Sequence, residues 1–210
     1  MTDPAEPEAR PPWCPAGLRV LTARLPQFAL VVSTLGFCWL GMQVVHELGH
    51  ILTAHACGET IGRVVLHPLT VSRTEVSRDR CPLLVVWGGP LFGSALPLVL
   101  LAVARSLRCD LFYLFQFFAG FCLIANGVYL GVGSFGGVGD AGDLLRHGGP
   151  QWTLIGFGLV CAPLGLWLWN GLGRYFGLGE SEGRVDRRAV RWSIGLVLTI
   201  VAVEVLFASR

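Results

Sequence analysis

Five long apolar segments alternate with shorter polar segments along this chain of 210 residues. The apolar segments cover residues 28–56, 82–104, 111–131, 152–173 and 190–208. Each is close to or longer than the ~20 residues that a helix needs to cross a hydrocarbon layer of ~30 Å. The pattern predicts an all-α polytopic membrane protein with about five transmembrane helices, and four or six are the alternatives.

Composition narrows the class further. Hydrophobic residues make up 53% of the chain and charged residues only 14%, which is typical of integral membrane proteins. All sixteen basic residues are arginines, spread along the loops with a formal net charge of +2, so no nucleic acid partner is expected. The seven cysteines are scattered without a C-x-x-C pair, and we interpret them as packing residues.

The proline-rich N-terminus predicts a disordered tail over residues 1–25, followed by a single membrane-embedded domain over residues 26–210. Residues 59–81 are too polar to cross a bilayer and predict a short β-hairpin, broken near His67 and Pro68. Two roles for this hairpin remain open: an edge that pairs with an extended peptide, or an ordinary surface hairpin. The glycine-rich segment after the third span, residues 131–149, predicts a re-entrant or unwound stretch.

The first apolar segment contains the most informative motif, His46-Glu47-Leu48-Gly49-His50. Residues four apart lie on one face of a helix, so His46 and His50 can direct two imidazoles at one metal ion, with Glu47 beside its open position. Residues 28–56 contain no formally charged side chain other than Glu47. An ionised group at the bilayer centre costs roughly 2.5–3.5 kcal/mol, which favours a bound metal over a chance spacing.

A catalytic zinc ion usually has three protein ligands and one water, so a third donor is required. His55 is five residues beyond His50 and is rotated away from its helix face. Asp140 and Asp143 follow the glycine-rich stretch and supply two carboxylates, and His147 is a further alternative. From the residues alone, the third ligand remains open among these candidates.

Three motifs together resemble the signatures of the site-2 protease family of intramembrane zinc metalloproteases. They are the His46–His50 motif, Gly88-Gly89-Pro90-Leu91, and Asp140-Ala141-Gly142-Asp143-Leu144-Leu145. The similarity covers roughly residues 28–145, taken as the catalytic core, and residues 151–208 are additional helices. The chain departs from the family at Gly93 and Ser94, where an asparagine is usual, and at Tyr129, where a proline usually follows the asparagine. The long gap from Asn126 to Asp140 is similar to the compact bacterial branch without a PDZ domain.

The resemblance implies one Zn²⁺ per chain held by His46, His50 and Asp140, with Glu47 as the general base. It implies hydrolysis of peptide bonds within or near transmembrane segments of membrane proteins, in a bacterial cell membrane, with Asn126 a weak candidate for binding substrate. The alternative for Asn126 is a buried amide that joins two helices. The alternatives for the protein are a non-catalytic scaffold or transporter-like protein with a structural metal or ion site, and a zinc hydrolase of non-peptide substrates.

Two inferences about membrane orientation disagree. The family's arrangement directs the His46–His50 end of the first helix toward the cytosol and leaves the N-terminus outside. With five spans, however, the side that holds the N-terminus carries ten arginines and the other side carries six. An excess of arginine usually marks the cytoplasmic side. We expect the family orientation.

Overall fold

The computed structural model describes residues 16–66, 72–76 and 80–208. Six α-helices and one two-stranded antiparallel sheet make up most of this part of the chain. In chain order they are α1 (Ala16–Ala56), β1 (Ile61–Val65), β2 (Arg73–Val76), α2 (Pro82–Ser106), α3 (Phe112–Gly136), α4 (Gly139–Arg146), α5 (Gln151–Trp169) and α6 (Arg187–Ala208). Two 3₁₀ turns, Leu172–Phe176 and Gly179–Ser181, connect α5 to α6.

Five helical segments are long and apolar enough to cross a membrane, among the residues described. They are Arg24–Ala56, Pro82–Ser106, Phe112–Gly136, Gln151–Trp169 and Arg187–Leu206. The predicted number of spans, the helical class and the short hairpin are therefore confirmed. This architecture is compatible with a multi-pass membrane protein, and its orientation stays a prediction.

The helix pair α3 and α5 packs closely through small residues. A methyl group added at Gly158 would lie 2.7 Å from the carbonyl oxygen of Gly127 and 3.1 Å from the Cα of Gly131. Small residues allow helix backbones to approach in an apolar solvent, where dispersion and weak polar contacts drive association. The resulting α3–α5 pair holds α3 rigidly beside α1 and α2.

The first helix lies at the centre of the packing, with α2 and α6 against it. The Ser33 and Ser193 hydroxyls are 2.7 Å apart and link α1 to α6. Near its start, the Gln27 amide donates to the carbonyls of Phe176 (3.0 Å) and Gly177 (2.9 Å). These bonds anchor α1 to the α5–α6 connection. The helix begins at Ala16 and continues through Pro26, so residues 16–25 of the expected disordered tail are helical. Residues 1–15 lie outside the described residues.

The hairpin follows the predicted pattern. In β1 and β2, Val64 pairs with Thr74 and Val65 pairs with Arg73, with a bulge between Ile61 and Arg63. The expected break at His67 and Pro68 lies outside the described residues.

Two contacts fix the hairpin to the helices. The Glu59 carboxylate accepts hydrogen bonds from the backbone N–H groups of Arg80 (2.9 Å) and Cys81 (3.0 Å), just before α2 begins. The Gln43 side chain of α1 accepts hydrogen bonds from the backbone N–H (3.0 Å) and hydroxyl (3.1 Å) of Ser72. The hairpin is therefore packed onto α1, and its pairing with a peptide stays a prediction.

The glycine-rich segment differs from its expected unwound form. Residues 131–136 continue α3 as regular helix. Gly137 then adopts a left-handed conformation (φ 60°), its N–H bonds to the Gly133 carbonyl, and the chain turns into α4. An L-residue rarely adopts this conformation, so glycine is the residue that suits a sharp helix end here. The unwound prediction is wrong for residues 131–136, and re-entry into the bilayer stays a prediction.

Candidate metal centre

Three side chains from two helices converge at one point. His46 and His50 lie one turn apart on α1, and Asp140 lies in the first turn of α4. The Asp140 Oδ2 is 2.7 Å from His46 Nε2 and 3.4 Å from His50 Nε2. The three potential ligand atoms all lie within 4.8 Å of one another. The structure thus brings together the two predicted histidines and one of the two candidate aspartates.

The two imidazoles are oriented by hydrogen bonds on their outer nitrogens. His46 Nδ1 lies 2.7 Å from the Asn126 side-chain oxygen, and His50 Nδ1 lies 2.8 Å from the Val85 carbonyl oxygen. Both partners are acceptors, so each Nδ1 carries the proton. Each Nε2 then directs its lone pair at the shared centre, which is the arrangement found around metal-bound histidines. Two imidazole nitrogens and one carboxylate oxygen suit Zn²⁺, and the residues present fit a metal ion.

The Gly88-Gly89 pair of α2 makes room for this cluster. A methyl group added at Gly89 would overlap His50 Nε2 and lie 2.7 Å from His46 Nε2. One added at Gly88 would overlap the Thr53 hydroxyl of α1. A side chain at either position would therefore displace α2 from α1 or fill the metal centre. This steric constraint gives a physical reason for the two glycines of the Gly88-Gly89-Pro90-Leu91 motif.

Asp140 is held by its backbone as well as by the histidines. Its N–H donates a 3.0 Å hydrogen bond to the Tyr129 hydroxyl oxygen. The next residue, Ala141, is fully buried against Leu130 and Leu144. Burial acts to raise the pKa of Asp140, but the two adjacent imidazoles, which donate from Nε2 only in their protonated form, outweigh it and hold that pKa well below its ordinary value. Asp140 is therefore a carboxylate at neutral pH, as a metal ligand must be.

Glu47 lies beside the triad without belonging to it. Its side chain is buried, and it interacts electrostatically with His50, His46 and Asp140. Its Oε2 accepts a 2.6 Å hydrogen bond from the Thr74 hydroxyl of β2. The hairpin thus covers Glu47 and fixes one of its two carboxylate oxygens.

Asn126 bonds to two groups of the protein itself. It is 1% exposed, its side-chain oxygen bonds to His46, and its amide nitrogen donates to the Cys122 carbonyl at 2.8 Å. The side chain therefore joins α3 to α1 and orients a candidate ligand. The interpretation of Asn126 as a buried interhelical amide fits this geometry, and its binding of substrate stays a prediction.

The remaining candidates lie outside the triad. Asp143 forms an ion pair with Arg146, and His147 Nδ1 is 2.8 Å from the Asp143 carbonyl oxygen. His55 is exposed near the end of α1, as its position off the His50 face predicts. His67 lies outside the described residues.

Sequence reasoning missed two residues that contact the site, Thr74 and Tyr129. Tyr129 follows Asn126 by three residues, so both lie on the same face of α3, and this spacing was an available signal. Thr74 reaches Glu47 only through the tertiary packing of β2 on α1. No local sequence pattern encodes that contact.

We expect purified protein to bind one zinc ion, because the three ligands form one compact cluster. His46→Ala, His50→Ala and Asp140→Ala should each lose most of the metal after dialysis against a weak chelator, measured by plasma mass spectrometry. Asp143→Asn is the matched control, since its carboxylate pairs with Arg146 outside the cluster, and it should retain full occupancy. Full retention in Asp140→Ala would contradict the assigned ligand set.

Asn126→Leu should weaken zinc binding by roughly 10–100-fold, because outer partners of metal-bound histidines typically contribute that much. Asn126→Asp keeps an acceptor oxygen for His46 Nδ1 and should stay close to the parent affinity. Ser134→Ala is the control, because its hydroxyl is on α3 but bonds only the Gly131 carbonyl. Competition with a fluorescent zinc indicator measures all three. Equal affinities in Asn126→Leu and the control would show that the His46 contact is dispensable.

No protein-family model, curated protein or solved structure matched the chain in any of three comparisons. The site-2 protease resemblance therefore rests on the motifs quoted above and on nothing outside them. What the chain does has to be argued from the site itself.

Proposed function

We propose that this chain is an intramembrane zinc metalloprotease that hydrolyses peptide bonds within or near transmembrane segments of other membrane proteins. One observation carries the proposal: Glu47 is buried beside a three-ligand cluster and is not part of it. Within the described residues, the cluster contains three ligands. A tetrahedral ion would then keep one position for water, and a neighbouring carboxylate is what hydrolysis requires.

The chemistry divides between the metal and the chain. A zinc ion in the cluster would supply Lewis acidity, which polarises a carbonyl group and lowers the pKa of a water molecule toward ~7. The Glu47 carboxylate accepts the proton of the attacking water and then donates it to the departing amine nitrogen. The Thr74 hydroxyl holds Oε2 of Glu47, which leaves Oε1 available to accept the proton of the reacting water.

Tyr129 is positioned to assist at the other reacting atom. Its hydroxyl oxygen accepts the Asp140 N–H, so its own proton can be donated elsewhere. The ring lies 6.0 Å from the His46 ring, and the residue is 37% exposed, so a substrate can reach it. A hydroxyl donor here stabilises the negative charge that develops on the carbonyl oxygen of the scissile peptide.

The position of the cluster supports a membrane protein as substrate. His46 lies ten residues before the end of α1, so it is ~15 Å inside that helix end at 1.5 Å per residue. A peptide bond must reach this depth, and a helical one is shielded by its own hydrogen bonds. The substrate segment therefore has to unwind locally before Glu47 can act on it.

Glu47→Gln should abolish turnover while it retains the zinc ion and the fold, since the amide has a similar shape but cannot accept the proton. Removal of a general base typically lowers the reaction rate by roughly 10²–10⁴-fold. The assay uses detergent-purified protein with a panel of single-span membrane proteins, with and without a chelator. Glu75→Gln, which changes an exposed carboxylate of the hairpin, is the control and should keep full activity. Cleavage that survives Glu47→Gln or the chelator would refute the protease assignment and leave the structural-metal alternative.

Tyr129→Phe should lower kcat by roughly 10²–10³ with little change in KM, as expected when one donor to a developing oxyanion is removed. Zinc content should stay at the parent level, because the phenolic oxygen bonds to the backbone N–H of Asp140 and not to its carboxylate. Tyr175→Phe, in the connection between α5 and α6, is the matched control. A loss of zinc in Tyr129→Phe would instead indicate that the hydroxyl only positions Asp140.

A further inference from the structure

A second cavity lies apart from the metal centre, toward the opposite end of α1. It has a volume of about 590 Å³, within the range of small-molecule and cofactor sites. Its walls come from α1, the end of α2, the α2–α3 turn, α3 and α6. Because α6 packs chiefly along α1, a groove is left between α6 and the α2–α3 pair.

Charged residues surround the mouth of this cavity. Arg108 and Asp110 belong to the turn between two membrane-spanning helices, and Arg188 lies at the start of α6. Arg188 and Asp110 are 3.8 Å apart, and their side chains are 64% and 83% exposed. A long ion pair with such exposure contributes little, so both arginines can bind another anion. The mouth thus carries two cations and one anion.

Below the mouth, the wall carries hydroxyl groups. Thr34 and Ser193 both line the cavity and are 4% and 2% exposed. The Ser193 hydroxyl is paired with Ser33, but the Thr34 hydroxyl has no hydrogen-bond partner. The Thr34 oxygen is enclosed by protein, so its missing hydrogen bond is a cost within the fold and not a contact open to a ligand. Ser193 lies five residues along α6 from Arg188, a rise of ~7.5 Å.

Farther along the helices from the charged residues, the cavity is apolar. Phe37, Cys38, Leu100 and Phe118 line it. Cys38 and Phe118 belong to a buried cluster between α1 and α3. Along the helices from the α2–α3 turn, the lining therefore changes from charged side chains to side chains with hydroxyl groups and then to apolar side chains.

We propose that this cavity binds one molecule of an anionic phospholipid. The phosphate bonds to Arg108 and Arg188, since guanidinium groups match phosphate oxygens with two parallel hydrogen bonds. One acyl chain follows the phosphate along the lipid and lies in the apolar part of the cavity. Basic pockets between membrane helices bind acidic headgroups in this way. The proposal does not depend on the proteolytic function.

Native mass spectrometry of the full-length, zinc-loaded chain in a neutral detergent tests it. The probes are phosphatidylglycerol and phosphatidylcholine with identical acyl chains. We expect phosphatidylglycerol to bind at one equivalent and at least tenfold more tightly. Arg108→Gln and Arg188→Gln should each weaken it about fivefold, as expected for one cation near a lipid phosphate, and should weaken phosphatidylcholine less, because its choline cation offsets the phosphate charge. Arg63→Gln, an exposed arginine of the hairpin, is the control and should have no effect.

Filling the cavity tests the acyl-chain part separately. Leu100→Trp should reduce binding of both lipids, and Leu196→Phe, from the α6 wall, should do the same if the first variant fails to fold. Unchanged zinc content and a single elution peak establish folding. Equal affinities for the two lipids, or arginine variants that behave like Arg63→Gln, would overturn the proposal. Displacement of the lipid by millimolar inorganic phosphate would also overturn it, since it would mean that only the headgroup is bound.

Discussion

Polar groups inside the helix bundle have to find partners within the protein, because an apolar surrounding supplies none. The metal centre shows how completely this constraint is met. Each histidine uses one nitrogen for an acceptor on a neighbouring helix and keeps the other for the centre. Glu47 is bonded by the hairpin, and Asp140 is bonded by both histidines. Every helix or strand that surrounds the cluster supplies one of these partners, so the positions of α2, α3, α4 and β2 follow from it.

The spacing of residues along the chain predicted those features that depend on one helix alone. The lengths of the apolar segments gave the five spans, and the four-residue spacing of His46 and His50 placed two imidazoles on one face of α1. The resemblance pointed to Asp140, and the structure places it against both histidines. The contact of Thr74 with Glu47 was not predictable, because it depends on how β2 packs against α1. An interhelical amide was one alternative for Asn126, and its spacing to Tyr129 was a signal, but neither identifies the partner atoms.

The two differences from expectation have physical causes. Glycine has a low helix propensity in water, which made residues 131–149 read as unwound. Between packed membrane helices the lack of a side chain is instead favourable, and Gly131 lies against Gly158 of α5. Similarly, the tail expected over residues 1–25 was too long, because α1 begins at Ala16 and continues through Pro26. Contacts between Gln27 and the α5–α6 connection hold that part of the helix in place.

The placement of Asp140 on a separate short helix has a consequence for how the protein responds to metal. Only eight residues form α4, and a helix of that length is marginal on its own. An ion bound by α1 and α4 together would hold α4 against α1, since the free energy of metal binding adds to the free energy of docking α4. Opening of α4 and release of the ion would then be one equilibrium. Metal supply would then affect the docking of α4 as well as the chemistry of the site.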